Sequence, residues 1–501
     1  MNKPLAALLA VFAAAKLVAA SLVELGNDEV YYIMYARYPD WSHFDHPPMV
    51  GWMVQLFTLN LSISGDVALR LGPVVLGTCT LYFLYRIGKL LHSERTGLLA
   101  AVFGAASVYT GIIGGMFVMP DSPQLFFWTG ALFTFLTALA TGQRPWFLLT
   151  GLLLAGALAT KYHSVFLVAG VVAFAVFHQR SLLRKLDFWL MLLTAAVGVL
   201  PVLVWNIGNG FVSFSFHGER IVPESWVPNP ETFGMELFGQ LLYQNPIVFV
   251  VTILALVQAV RYRGELGSRE KLLLWVAVPL YLVFTGFALY RRTLPHWTGP
   301  AFVTLLPLVA MYTVKQGERF TRRTVIASLS FAAVVLVLGS AQIRWGVFTL
   351  DPIHREPHNY MKDDATLDMW GWKELSQVLS SRFADEDTVV FFARGWFPTA
   401  HVDHYLSRPL GAKTIALGKP EQIHKFWWTN SEVELNERQI WIYITDSRNF
   451  REPEAAFGCQ VQYTPTDTLW LERGGAKAKA VFLYRVHAFQ SGCVSRMAFS
   501  K

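Results

Sequence analysis

Charge is scarce in this chain. Of its 501 residues only 15% are Asp, Glu, Lys or Arg, while 53% are hydrophobic, and the mean hydropathy is +0.38. A soluble domain of this size has no use for so apolar a composition, so the chain reads as a polytopic membrane protein. It also has only three cysteines, and no CxxC pair is among them. P-loop and dinucleotide-type glycine motifs are missing in any suitable context, so no nucleotide cofactor is implied and the energy of any reaction must come from the substrate. A convincing small-residue cleavage site is lacking before Glu24, so residues 4 to 23 read as a retained first span rather than a signal peptide. The net charge of +7 would hint at nucleic acid in a soluble protein, but the basic residues collect in short loops. There they report topology, and no nucleic-acid partner is implied.

What is present is a series of long apolar runs. After the first span they lie near 66 to 91, 97 to 118, 122 to 141, 145 to 160, 164 to 178, 187 to 205, 241 to 260, 272 to 290, 298 to 314 and 324 to 343, about eleven spans in all. With the N-terminus inside, alternate loops hold Arg86, Lys89 and Arg95, then Arg144, then Arg180, Arg184 and Lys185, then Arg261, Arg263, Arg269 and Lys271, then Lys315, Arg319, Arg322 and Arg323. The positive-inside rule then turns the first loop, residues 24 to 65, outward. The expected organisation is a mainly α transmembrane domain over 1 to 343 and an outer α/β domain over 344 to 501. In the latter, TVVFFARGW, QIWIYITD and AVFLYRV read as strands, and TLDMWGWKELSQVLSSRF includes helical sequence. Cys459 and Cys493 lie there, where oxidation can join them.

The first loop gathers Asp28, Glu29, Asp45 and His46 beside apolar sequence. A charge at bilayer depth costs about 2.5 to 3.5 kcal/mol on insertion scales, so such groups face a cavity, an interface or each other. Four further outward sites carry Asp121; Lys161 and His163; His217, Glu219 and Arg220; and Arg291, Arg292 and His296. Any one of these reads equally as an ordinary polar loop or as a cation snorkelling to headgroups. Their convergence on one face points to chemistry. A carboxylate can take a proton from an attacking hydroxyl while cations, or a metal, stabilise a departing phosphate. A sugar on a lipid phosphate in the outer leaflet of the bilayer is such a substrate. Pro47 and Pro48 hold Asp45 and His46 in an extended turn, or simply end the loop. The competing class is a transporter or flippase for a lipid-linked or anionic substrate, which predicts ionisable groups near span centres and similar halves; neither is evident.

NDEVYY, FDHPPMVGW, MPDSPQLFFW, ATKYHSVFL, LPVLVWNIGNGFVSFSF and LPHWTGPAF, in this order, resemble the bacterial protein O-mannosyltransferase-like branch of the GT-C glycosyltransferases, relatives of the lipid A aminoarabinose transferase. The resemblance runs over roughly residues 20 to 310. It implies an inverting transfer from a polyprenyl-phosphate sugar to an extracytoplasmic acceptor (lipid A, another glycan or lipid, or a protein) at the inner membrane. It places Asp28 on the catalytic base, with Glu29 and Asp121 in support, although Asp121 also suits a helix N-cap. Lys161 matches a family lysine and is the first candidate for the donor phosphate, with Arg220, Arg291 and His296 behind it. Asp45 and His46 fall where the relatives carry an acid that helps hold a divalent metal and a lysine that meets the phosphate. His46 can fill the second role only if protonated or sharing a metal, for which Asp45 and His217 are the candidate ligands. Trp396, Phe397, Trp427 and Trp428 suit sugar stacking, though such residues more often fill a core.

Overall fold

The computed structural model describes residues 2–223, 225–348, 353–383, 388–436 and 438–490. The chain separates into two compact units, one built from the sequence up to Ala19 with Pro39–Val337, the other from Ala20–Tyr38 with the chain from Leu338 onward. A boundary drawn at 343/344 therefore omits one exchange: part of the first loop clusters with the C-terminal chain.

The first unit is a helical membrane domain. Among the described residues seven helices are long and apolar enough to cross a bilayer: α1 (Lys3–Leu22), Asp66–Leu91, Asp121–Thr141, Leu186–Gly208, Ser268–Phe287, Pro295–Lys315 and Glu318–Trp345. Two bent pairs, over 94–116 and 230–261, raise the number to nine, and Arg144–Leu158 and Tyr162–His178 are shorter apolar helices. Each of the apolar runs read from the sequence is matched by one of these segments. Side chains such as Leu152, Leu193, Val204, Val257 and Val337 stay exposed on their surfaces, as a lipid-facing surface requires.

Both bends have a local cause. Ser107 leaves the helix with extended backbone, and its hydroxyl accepts from Thr110 N–H to start a π-helical turn; the pair bends by 77°. Asn245 adopts φ +70° between two helices, caps Ile247 N–H with its side chain and is followed by Pro246, and there the bend is 106°. Broken backbone at bilayer depth must find partners inside the protein. The breaks supply one another: Asn245 Nδ2 donates to the Ala106 carbonyl at 3.0 Å and to the Ser328 carbonyl at 2.9 Å, and Ser107 Oγ lies 3.3 Å from Gln244 Oε1.

The second unit is α/β. Its helix α2 (Asn27–Arg37) comes from the first loop. The sheet holds β1 (Val389–Arg394), β2 (Lys413–Leu417), β3 (Ile440–Asp446), β4 (Val461–Arg473) and β5 (Ala476–Phe489) in the order β2-β1-β3-β5-β4. Its β2, β1 and β3 run parallel, and β5 pairs antiparallel with β3 and β4. The expected strands are β1, β3 and β5. The helical stretch forms Trp372–Arg382 after a 3-10 turn. Cys79 is a free thiol, and the expected Cys459–Cys493 pairing falls outside the described residues.

Candidate functional site

In the membrane unit Asp121 opens its helix directly after Pro120 and is 1% exposed. So deep a carboxylate needs an answering charge, and Lys161 Nζ lies 2.9 Å from both of its oxygens. The Tyr109 hydroxyl donates to Oδ1 at 2.8 Å. Tyr109 sits on the π-helical turn after Ser107, and Gly299 makes room for its ring, since a Cβ there would lie 2.1 Å from a ring carbon. Aspartate, lysine and tyrosine thus form a satisfied buried group whose rupture leaves an uncompensated charge.

Imidazoles and a guanidinium belong to the same neighbourhood. The His46 and His217 rings are 6.2 Å apart. Burial first, then the nearby Lys161, His217, His163 and Arg220, push the His46 imidazole well below its usual range, so it is neutral at neutral pH. It can offer a hydrogen bond there but no charge. His217 Nε2 meets the Asp45 backbone carbonyl at 2.8 Å, and its ring packs against Tyr162 at 4.8 Å. Arg220 lies over the Phe216 and Trp297 rings at 5.2 and 5.7 Å, a cation–π seat that leaves hydrogen-bond donors at the guanidinium edge. Among the described residues no ion pair is formed by Arg220. His296 has Lys161, Asp121 and Arg220 as its charged neighbours. Arg291 instead donates to the carbonyls of Glu219 and Val222 at 2.9 and 3.0 Å, closing the C-terminal end of the helix Val212–Ile221.

The second unit carries the acidic pair on the first turn of α2. Glu29 is 2% exposed and accepts the Gly26 N–H at 2.8 Å through Oε2, reaching back from the third helical residue as a capping acid does. Asp28 is partly buried beside it. Both acids favour the positive end of the helix dipole. The ends of the helix are tied by side chains: Glu24 accepts Trp372 N–H at 2.8 Å, and Arg37 pairs with Asp403 at 2.9 Å.

Residues 45–205 match the family model described as dolichyl-phosphate-mannose-protein mannosyltransferase. The lipid A galacturonosyltransferase RgtD of Rhizobium johnstonii (strain DSM 114642 / LMG 32736 / 3841) is 25% identical over 293 residues, 57% of this chain and 60% of that protein. The matched part is thus about three-fifths of that relative's length. ArnT from Cupriavidus metallidurans bound to undecaprenyl phosphate superposes with a TM-score of 0.63 at 13% identity, covering 99% of both chains. The apo form of that protein gives 0.59 at 12% identity, again over 99% of both. The chain has the GT-C fold. The resemblance carried by the six sequence motifs is borne out.

Within this GT-C chain the expected residues fall into two sets. Asp45, His46, Asp121, Lys161, His217, Arg220, Arg291 and His296 all belong to the membrane unit, and Asp28 and Glu29 to the other. Lys161, expected at a phosphate, already balances Asp121. His217 meets the Asp45 backbone carbonyl. Among the described residues no group of three His, Cys, Asp or Glu side chains is gathered as a metal site needs. Sequence reading missed Tyr109, hidden in the apolar stretch VYTGII. It also missed Arg70, fully buried with its guanidinium 5.6 Å from the Phe117 ring. Glu236 was missed too: it is buried, accepts from Gln240 Nε2 at 2.8 Å and the Thr293 hydroxyl at 2.9 Å, and so braces the chain just before His296. An isolated acid in an otherwise helical stretch was the only available signal. Trp396 is taken up by packing, 5.1 Å from Tyr31 and stacked on His424 at 5.5 Å.

Proposed function

We propose that the chain is an inverting membrane glycosyltransferase that moves a sugar from a polyprenyl phosphate to an acceptor on the periplasmic side of the inner membrane. The observation that carries this reading is the buried Asp121–Lys161 pair with His46, His217 and Arg220 around it. A membrane domain has no structural need for so many ionisable groups in one place. The relative named for lipid A favours a lipid A-type acceptor, and the fold neighbour solved with undecaprenyl phosphate favours that class of donor lipid. The basic loops support an acceptor side outside the cytoplasm.

In this reading the acceptor hydroxyl oxygen attacks the anomeric carbon of the donor sugar and gives its proton to a carboxylate, the role that the sequence resemblance assigns to Asp28. The bond from that carbon to the phosphate oxygen breaks, and the lipid phosphate leaves with the electron pair. Arg220, whose charge has no ion-pair partner among the described residues, stabilises the leaving phosphate, and neutral His46 donates a hydrogen bond to it. Lys161 and Asp121 act together as the frame that orients them. No step is routed through a metal. Transport is not favoured, because the sequence has no evident pair of similar halves.

The test is mass spectrometry of envelope lipids, glycans and glycoproteins from a strain lacking the protein, complemented with the native chain or with Asp28→Asn. The proposal expects a sugar mass on a defined acceptor that returns with the native chain and not with the variant. Full restoration by Asp28→Asn would end the base assignment.

A further inference from the structure

The residue before Asp28 has an environment that helix formation does not explain. Asn27 donates through Nδ2 to Asp368 Oδ2 at 3.1 Å, and its Oδ1 lies 2.9 Å from His401 Nε2. Asp368 is held in turn by Arg448, with Nε 2.7 Å from Oδ1 and Nη2 3.1 Å from Oδ2. His401 is wholly buried and stacks flat on the Trp372 indole at 4.4 Å and 3°. The other face of the arrangement is equally fixed: Trp372 N–H donates to Glu24, and the Lys479 ammonium sits 4.3 Å from the Trp372 ring centre while donating to the Trp370 carbonyl at 3.0 Å. Leu25 N–H donates to the Tyr405 hydroxyl at 2.8 Å. Every one of these groups lies in the second unit, and none takes part in the proton or phosphate steps above.

An amide donates to a carboxylate on one side and accepts from an imidazole N–H on the other with no change of protonation, with His401 in its Nε2-protonated tautomer. Aspartate would serve the first turn of a helix at least as well through the dipole, so the network, not the helix, selects Asn. An 11-residue helix is marginal alone and frays at its ends. We propose, building on the glycosyltransferase reading, that Asn27 is a positioning residue. Through Asp368 and His401 the C-terminal unit sets the first turn of α2 and with it the direction in which Asp28 presents its carboxylate. A displacement of about 1 Å at a reacting group is enough to cost on the order of 100-fold in rate.

The experiment uses the full chain with Asn27→Ala, Asn27→Asp, His401→Ala and His401→Gln beside Asp28→Asn. It reads the modified envelope species in complemented cells and in their membranes, and binding of undecaprenyl phosphate to the purified protein by native mass spectrometry. Asn27→Ala and His401→Ala lower the product about 10- to 100-fold while undecaprenyl phosphate binding stays as in the native chain. His401→Gln, which keeps a donor, restores most of the product. Asn27→Asp, which sets a carboxylate against Asp368, is worse than Asn27→Ala at neutral pH and recovers as the membranes are assayed under mildly acidic conditions. Native product levels in both Asn27 variants with none in Asp28→Asn would overturn the positioning role and leave the enzyme reading standing. Native levels in Asp28→Asn would remove both. If Asn27→Ala fails to accumulate, His401→Ala against His401→Gln decides, and equal loss in those two overturns the proposal.

Discussion

Asp121 and Asp28 are both acids at the first turn of a helix, and they are handled in opposite ways. Asp121 is sealed, with a lysine on both oxygens and a tyrosine hydroxyl on one. Its charge is spent on internal structure. Asp28 keeps partial exposure, between Asn27 and Glu29, each of which is hydrogen-bonded. The difference is one of burial: the first acid is sealed inside the membrane unit, the second keeps part of its surface open at the start of α2.

Substitutions can break that contrast in either direction. The largest effect is expected at Asp28: Asn there leaves thermal unfolding in detergent unchanged and lowers transfer by about 10²- to 10⁴-fold, read as product mass. At the other acid the order reverses. Lys161→Met strands a buried carboxylate and lowers unfolding stability by roughly 3 to 5 kcal/mol, and adding Asp121→Asn recovers much of that loss. If the double variant is no more stable than the single one, the pair is not the unit it is taken for. Arg220→Gln removes a charge that has no ion-pair partner among the described residues, weakening undecaprenyl phosphate binding by about 1.5 to 3 kcal/mol with little change in unfolding.

The smallest effect is a pH dependence in the second unit. Burial, then Lys479 and His404, lower the His401 imidazole well below its usual range, and burial, then Arg37, Arg408 and Lys373, do the same at His404. The unfolded chain therefore binds more protons than the folded one below about pH 6.5. Stability is fully present above that value and falls with acidification, by up to about 1.4 kcal/mol per pH unit for each imidazole. Calorimetry on the native chain and on His401→Gln checks the sign, with a shallower decline expected in the variant.

The spans and the fold class were legible because a bilayer demands long apolar runs, and such runs are local in sequence. Strands β1, β3 and β5 were legible for a similar reason, being dense in β-branched and aromatic residues. In contrast β4 was not. It contains Pro465 and an irregular register between Pro465 and Asp467, which its place at the edge of the sheet tolerates. The breaks at Ser107 and Asn245 lie inside segments whose composition is that of ordinary spans. Of the site, the residue types and the acidic pair were readable, but the partners were not. Asp121 meets Lys161 across 40 positions and Asn27 meets His401 across 374, distances over which periodicity carries no information. The neutral state of His46 likewise depends on burial, and then on neighbouring cations, that only the fold assembles.

The assignment of Ala20–Tyr38 to the second unit has a consequence for biogenesis. The chain passes from one unit to the other three times, so the C-terminal unit is no cassette that can be cut off or exchanged at a single point. A truncation near Leu338 takes away every hydrogen-bond partner that α2 has in residues 368 to 425 while leaving α2 behind. During synthesis at about 5 to 20 residues per second, α2 is made roughly 20 to 70 s before His401 and its neighbours emerge. Throughout that interval the helix bearing Asp28 has already left the ribosome, and the part of the protein that would set its geometry does not yet exist.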